Sequence, residues 1–165
     1  MKLQKAEFKE IPLIQELARK SWEVAYKNIL SNEQLEYMLE MMYSQEEISL
    51  HLKNPHYLYY IIIDEKTGNY EGFIGFENHY EEKTTKLHRI YLIPESKGRG
   101  FGKDAMKFLK SQIREVGDNR IILAVNKNNS ARDFYESQGF KVYDEGIFEI
   151  GNGYVMDDYL MEFQV

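Results

Sequence analysis

Between residues 87 and 125 the chain passes through an apolar strand-like run, a glycine-spaced loop, a helix-like run and a second apolar run, an order that leaves little topological freedom. The first run, Leu87-His88-Arg89-Ile90-Tyr91-Leu92-Ile93-Pro94, is rich in aromatic and β-branched residues and is stopped by proline, as a strand would be. Over residues 103–115, Met106, Leu109, Lys110 and Ile113 recur at three- and four-residue steps, a helical period. Arg120-Ile121-Ile122-Leu123-Ala124-Val125 then reads as a strand covered on both faces. Strand, helix and strand in succession predict a parallel pair joined by a right-handed crossover.

The flanks fill in an α+β class. Residues 11–26 place Ile14, Leu17, Ala18 and Trp22 on one helical face, and Ser31-Asn32-Glu33-Gln34 reads as a capping box opening a second helix with Leu35, Met38, Leu39 and Met42. Ser44-Gln45-Glu46-Glu47 is another such box, for a short helix ending near Asn54-Pro55. From Pro55 the period changes to that of strands: residues 57–64, a turn at Lys66-Thr67-Gly68-Asn69, residues 70–80, and a polar turn into the run at Leu87 make an antiparallel meander. Asn128-Asn129-Ser130 caps a helix over 131–138 that stops at Gly139, and residues 140–150 and 154–163 close as a hairpin across Gly151-Asn152-Gly153. The expected architecture is a mixed, mostly antiparallel sheet with N-terminal helices, one βαβ crossover and a C-terminal hairpin.

At the strand-to-helix junction lies Lys97-Gly98-Arg99-Gly100-Phe101-Gly102. Unpaired N–H groups and the positive dipole end of the following helix suit a phosphate, and glycines let the main chain approach it. Lys97, Arg99 and Lys103 add cations. A P-loop is excluded, because Lys97 stands where its first glycine belongs and Asp104 follows Gly102-Lys103. A G-x-G-x-x-G fingerprint is excluded too, since Gly98, Gly100 and Gly102 step by two.

Bulk properties narrow the partner. At 165 residues, 43% hydrophobic and 29% charged, residues 1–165 read as one globular domain. Net charge −6 disfavours nucleic acid and leaves a local contact to a small anionic cofactor. No apolar run reaches the ~18 residues of a membrane span and the N-terminus lacks a signal-peptide core, which leads us to expect a cytoplasmic protein with no membrane partner. With no cysteine, there is no disulfide, thiolate metal site or cysteine-borne covalent intermediate. No metal site is expected.

The strand ending at Pro94, the loop at 97–102 and the later Asn128-Asn129-Ser130-Ala131-Arg132-Asp133-Phe134-Tyr135-Glu136-Ser137-Gln138-Gly139-Phe140 together resemble the GCN5-related N-acetyltransferase superfamily. The resemblance implies transfer of an acetyl group from acetyl-coenzyme A to an amine. In the family the loop R/Q-x-x-G-x-G/A wraps the pyrophosphate; here Lys97 takes the Arg/Gln position and Gly100 and Gly102 the glycine positions, with Gly98, Arg99, Phe101 and Lys103 beside them. Ile90, Tyr91 and Leu92 would pair with the pantetheine amides, and the N–H of Tyr91 or Leu92 would meet the thioester oxygen. The second motif, N-x-x-A-x-x-[LF]-Y-x-x-x-G-F, matches through Asn128, Ala131, Phe134, Tyr135, Gly139 and Phe140, with Asn126 as the alternative asparagine. It implies Asn128 and Ala131 at the pantetheine arm and Tyr135 near the sulfur.

Without a cysteine, direct attack in a ternary complex is preferred. Tyr135, a phenol of pKa ~10, is the general-acid candidate. The glutamate that many relatives carry before the cofactor strand is Lys86 here, so the base stays open among Glu77, His79, His88 and water. For the acceptor, Trp22, Glu23 and Tyr26 at the end of the first helix, with Glu77, would hold an ammonium. The first helices and the ending Gly153-Tyr154-Val155-Met156-Asp157-Asp158-Tyr159-Leu160-Met161 resemble a polyamine-acetylating branch, which implies a small cationic amine. A protein N-terminus or lysine as acceptor, and a non-catalytic module binding coenzyme A derivatives, stay open, as does a homodimer through a sheet edge or the hairpin.

Overall fold

The computed structural model describes residues Met1–Val165. Seven strands form one sheet in the order β1-β2-β3-β4-β5-β7-β6: β1 Lys2–Lys5, β2 Tyr57–Ile63, β3 Tyr70–Glu81, β4 Thr84–Leu92, β5 Arg120–Asn126, β6 Lys141–Gly151 and β7 Tyr154–Gln164. Only β4 and β5 pair in parallel, as the crossover requires. The meander and the C-terminal hairpin take the expected places. Strand β1 has no counterpart in the sequence reading: four mostly polar residues on a sheet edge are held by backbone pairing with β2, which hydrophobic period does not report.

Helices cover both faces. On one side α1 Ile11–Ala25, α2 Asn32–Tyr43 and α3 Gln45–Lys53 bury Ile14, Trp22, Met38 and Ile48 against Tyr59, Ile61 and Phe73. On the other, α4 Phe101–Val116 and α5 Ala131–Ser137 bury Met106, Leu109, Ile113 and Tyr135 against Ile74, Phe76, Ile121 and Leu123. Each such large side chain taken out of water contributes about 1.5–3 kcal/mol, which is what fixes the helices to the sheet. No helix is long and apolar enough to cross a membrane.

Helix ends follow local chemistry. Ser31 Oγ accepts from the Gln34 N–H and Ser44 Oγ from the Glu47 N–H, both at 3.1 Å. The reciprocal half of the first capping box is not made: the Gln34 amide donates to the Val155 carbonyl at 3.4 Å and so ties α2 to the hairpin. Gly117, in the left-handed region at φ 84°, ends α4 with the Asp118 N–H donating to the Ile113 carbonyl at 2.8 Å. That turn delivers the chain into β5.

Candidate active site

The site exists because β4 and β5 pair over only three positions, Thr84 with Arg120, Thr85 with Ile121 and Lys86 with Ile122. Beyond them β4 stays with β3 and β5 stays with β7 as far as Asn126 opposite Asp158. The register of β3 against β4 slips at this point: Gly75 faces Arg89 and Phe76 faces Leu87, leaving His88 as the extra residue of a bulge. A bulge bends its strand, and here it turns β4 away from β5. The gap leaves main-chain groups free. Because the Ile93 N–H donates to the Glu71 carbonyl on β3 at 2.9 Å, alternation turns the N–H groups of Ile90 and Leu92 toward the gap and that of Tyr91 toward β3. Of the two oxyanion donors considered, Leu92 therefore has the right direction.

Two cavities of about 460 Å³ each meet at this gap, and Tyr26, Tyr91 and Ala124 belong to the walls of both. The first lies on the α4 and α5 side. Its wall includes Ile90, Leu92, Lys97, Gly98, the start of α4 from Gly100 to Lys103, and Ala131, Phe134 and Tyr135 of α5. Gly98 and Gly100 both have left-handed φ, 79° and 82°, and Gly100 is the N-cap of α4. A Cβ at Gly102 would stand 3.3 Å from the Phe134 ring. The result is an open cradle at a helix start, whose first-turn N–H groups have no partner inside the helix. Lys97 and Lys103 supply its cations. This donor set fits the pyrophosphate of a coenzyme A thioester.

Two loop residues do other work. The Arg99 guanidinium does not line the cavity; it pairs with Asp64 and, at 3.2 Å, with Glu71, which anchors the loop to the β2–β3 end of the sheet. Asn128 is also off the wall, its N–H donating to Asn126 Oδ1 at 2.9 Å. Its neighbour Asn129 lines the cavity instead, accepting from the Ala131 N–H at 2.9 Å and reaching the Tyr26 hydroxyl at 3.5 Å. Tyr135 is packed between Phe134 and Phe140, and its hydroxyl opens on the cavity without a protein partner. Burial pushes that phenol above its ordinary value, so it holds its proton.

The second cavity opens on the opposite face, under α1, α2 and the β6–β7 hairpin. Trp22 and Tyr26 are buried and stand in its wall, and the Tyr26 and Tyr91 hydroxyls are 3.4 Å apart at the junction. Glu23 is exposed and pairs with Arg19 at 3.7 Å. Glu77 lines neither cavity; it faces His88 Nε2 at 3.1 Å and the Asn54 amide at 3.4 Å. Neither carboxylate lines the second cavity. His79 is bound to Asp118, Nδ1 at 2.7 Å and its N–H at 2.9 Å, which locks the β3–β4 turn to the end of α4 and keeps it off both walls. His88 does line the second cavity, but burial pushes its imidazole down to about 3, a weak proton acceptor at neutral pH.

One wall residue went unnoticed as a candidate. Asp158 follows Met156 in phase on β7, and both face the second cavity while Asp157 turns outward to Lys127 at 3.0 Å. Asp158 Oδ1 is buried with no partner, and burial, helped by Asp157, pushes the carboxyl up to about 6. The available signal was an acid on the apolar phase of a strand, between Met156 and Leu160.

A thioester cradle on one face, a second cavity on the other and a breach in the sheet between them define an acyltransferase. The chain belongs to the acetyltransferase (GNAT) family, whose model matches residues 13–140. It is 28% identical over 163 residues to a spermidine N(1)-acetyltransferase of Thermoplasma acidophilum, covering 95% of this chain and 96% of that one. It is similar in structure to the PaiA N-acetyltransferase from Thermoplasma acidophilum in complex with coenzyme A, with TM-score 0.83, 25% identity and coverage of 99% and 98%. A ribosomal-protein-S18-alanine N-acetyltransferase from Escherichia coli shares the fold at TM-score 0.73 and 15% identity, over 99% and 93% of the two chains. The protein is an N-acetyltransferase, and acetyl-coenzyme A is its acyl donor.

Proposed function

We propose that the protein acetylates a small primary amine, of the class to which polyamines belong, by direct attack on the thioester while both substrates are bound. The observation that carries this reading is the pair of cavities sharing Tyr26, Tyr91 and Ala124 across the gap between β4 and β5. An amine held on one face can reach a thioester carbonyl held on the other without either leaving the protein, and proximity of that kind removes much of the barrier. The Leu92 N–H, freed from the sheet, would meet the carbonyl oxygen as negative charge builds on it. Tyr135 would give its proton to the departing sulfur, since its hydroxyl is protonated and unpartnered on the cofactor side. A polyamine is supported by the likeness to the spermidine N(1)-acetyltransferase.

Thiol release from acetyl-coenzyme A, measured across spermidine, arylalkyl amines, amino acids and short peptides, tests the acceptor class. In the same assay Tyr135→Phe is expected to lower kcat by about 100-fold or more, with the affinity for coenzyme A within twofold of wild type. A kcat unchanged by the substitution would remove Tyr135 from the chemistry.

A further inference from the structure

Three charged side chains stand in the wall of the acceptor cavity, and two of them are occupied. Glu81 faces Arg120 at 3.7 Å, and the Lys86 ammonium lies 4.8 Å from the centre of the Tyr80 ring. Asp158 is the exception, with one carboxylate oxygen buried and unpartnered. Most of the remaining wall is apolar, with Met38, Met42, Phe148, Ile150, Met156 and Leu160 among its residues. An unpaired buried carboxylate costs stability, and an ammonium placed beside it would recover that cost.

We propose that Asp158 is the group that takes up the acceptor's ammonium and accepts its proton, and that the wall around it selects amines whose atoms next to the nitrogen are hydrocarbon. The proposal rests on the acetyl-transfer reading and deepens it. The steps balance as follows. The ammonium gives one proton to Asp158; the neutral nitrogen then forms the C–N bond as the C–S bond breaks, and sulfur takes the Tyr135 proton. Nitrogen loses its second proton during the collapse, which restores Tyr135, while the proton on Asp158 leaves to solvent. A carboxyl near 6 is well matched to this task at neutral pH, whereas His88 is not. The groups that face Asp158 or share its cavity are Tyr26 just past α1, Glu81 from β3, Lys86 and His88 from β4, Asn126 from β5, Tyr143 from β6 and its neighbour Asp157. A free α-amino acid would bring a second carboxylate against Asp158. The aminopropyl end of spermidine satisfies the rule.

The test compares 2-phenylethylamine with phenylalanine on wild type, Asp158→Asn and Asp158→Glu, by turnover and by amine binding to the coenzyme A complex. Wild type is expected to prefer 2-phenylethylamine in kcat/KM by about 100-fold, with an acidic limb near pH 6. Asp158→Asn should lose that limb, fall at least about 100-fold in kcat/KM and bind the amine at least about tenfold more weakly, with coenzyme A affinity kept; Asp158→Glu should restore part of the rate. Asp158→Asn within threefold of wild type in both readouts would overturn the role of Asp158, and equal use of phenylalanine would overturn the selection rule. If wild type binds the amine, depends on Asp158 to do so and transfers nothing, acetyl transfer fails while the ammonium site stands.

Discussion

The two cavities that meet between β4 and β5 are built from different materials. The cofactor side is largely main chain: left-handed glycines, a helix start and strand N–H groups released by a bulge, nearly all within one stretch of sequence. The acceptor side is made of side chains brought from α1, α2 and five strands, with one unpartnered carboxylate, Asp158, in a mostly apolar wall. A backbone site of this kind tolerates side-chain change, so its anion specificity outlasts sequence drift; a side-chain site sets acceptor identity and is easily rewritten.

Three substitutions sharpen the contrast, read in turn by ligand binding, by thermal stability and by turnover. Gly100→Ala puts a side chain where φ is 82° but meets no atom within 4 Å, so its cost is conformational, about 1–2 kcal/mol. Calorimetry is expected to show coenzyme A binding weakened by about tenfold, in keeping with that energy, and amine binding unchanged; an equal loss for both ligands would dissolve the distinction. Asp158→Asn bears on stability as well as chemistry. A carboxyl raised to about 6 in the fold contributes stability that is present below the ordinary carboxylate range and lost as pH rises through 6. Melting curves should therefore show the variant more stable than wild type at pH 8, by a few degrees, and no different at pH 4; a variant less stable at pH 8 would mean that the carboxylate has a favourable partner. Glu77→Gln, whose side chain lines neither cavity and meets the acceptor wall only through His88, should leave kcat/KM within twofold of wild type in a steady-state assay.

The same contrast decides what could be read before the fold was known. Residues 87–140 carried the cofactor side because strand, glycine loop and capped helix are local events whose partners lie close in sequence. Arg99 shows where local reading stops: a cation in a phosphate loop looks like a ligand, yet its carboxylates, Asp64 and Glu71, flank the turn between β2 and β3, distant in sequence from the loop. Glu77 is a similar case, since its partner His88 lies across a bulge that hydrophobic pattern does not encode. Asp158 lies in the ending that resembles the polyamine-acetylating branch, but its own place in the site depends on β7 being folded under α1 and α2. Strand β1 escaped because an edge strand is specified by backbone pairing more than by its side chains.

Transfer through the gap is tested most directly at Ala124, the small residue that both cavities share. A single-turnover measurement of acetyl transfer by Ala124→Phe, saturated with acetyl-coenzyme A and amine, should give a rate at least about 100-fold below wild type, the loss expected when reacting groups are held apart. A rate within threefold of wild type would contradict transfer at this junction.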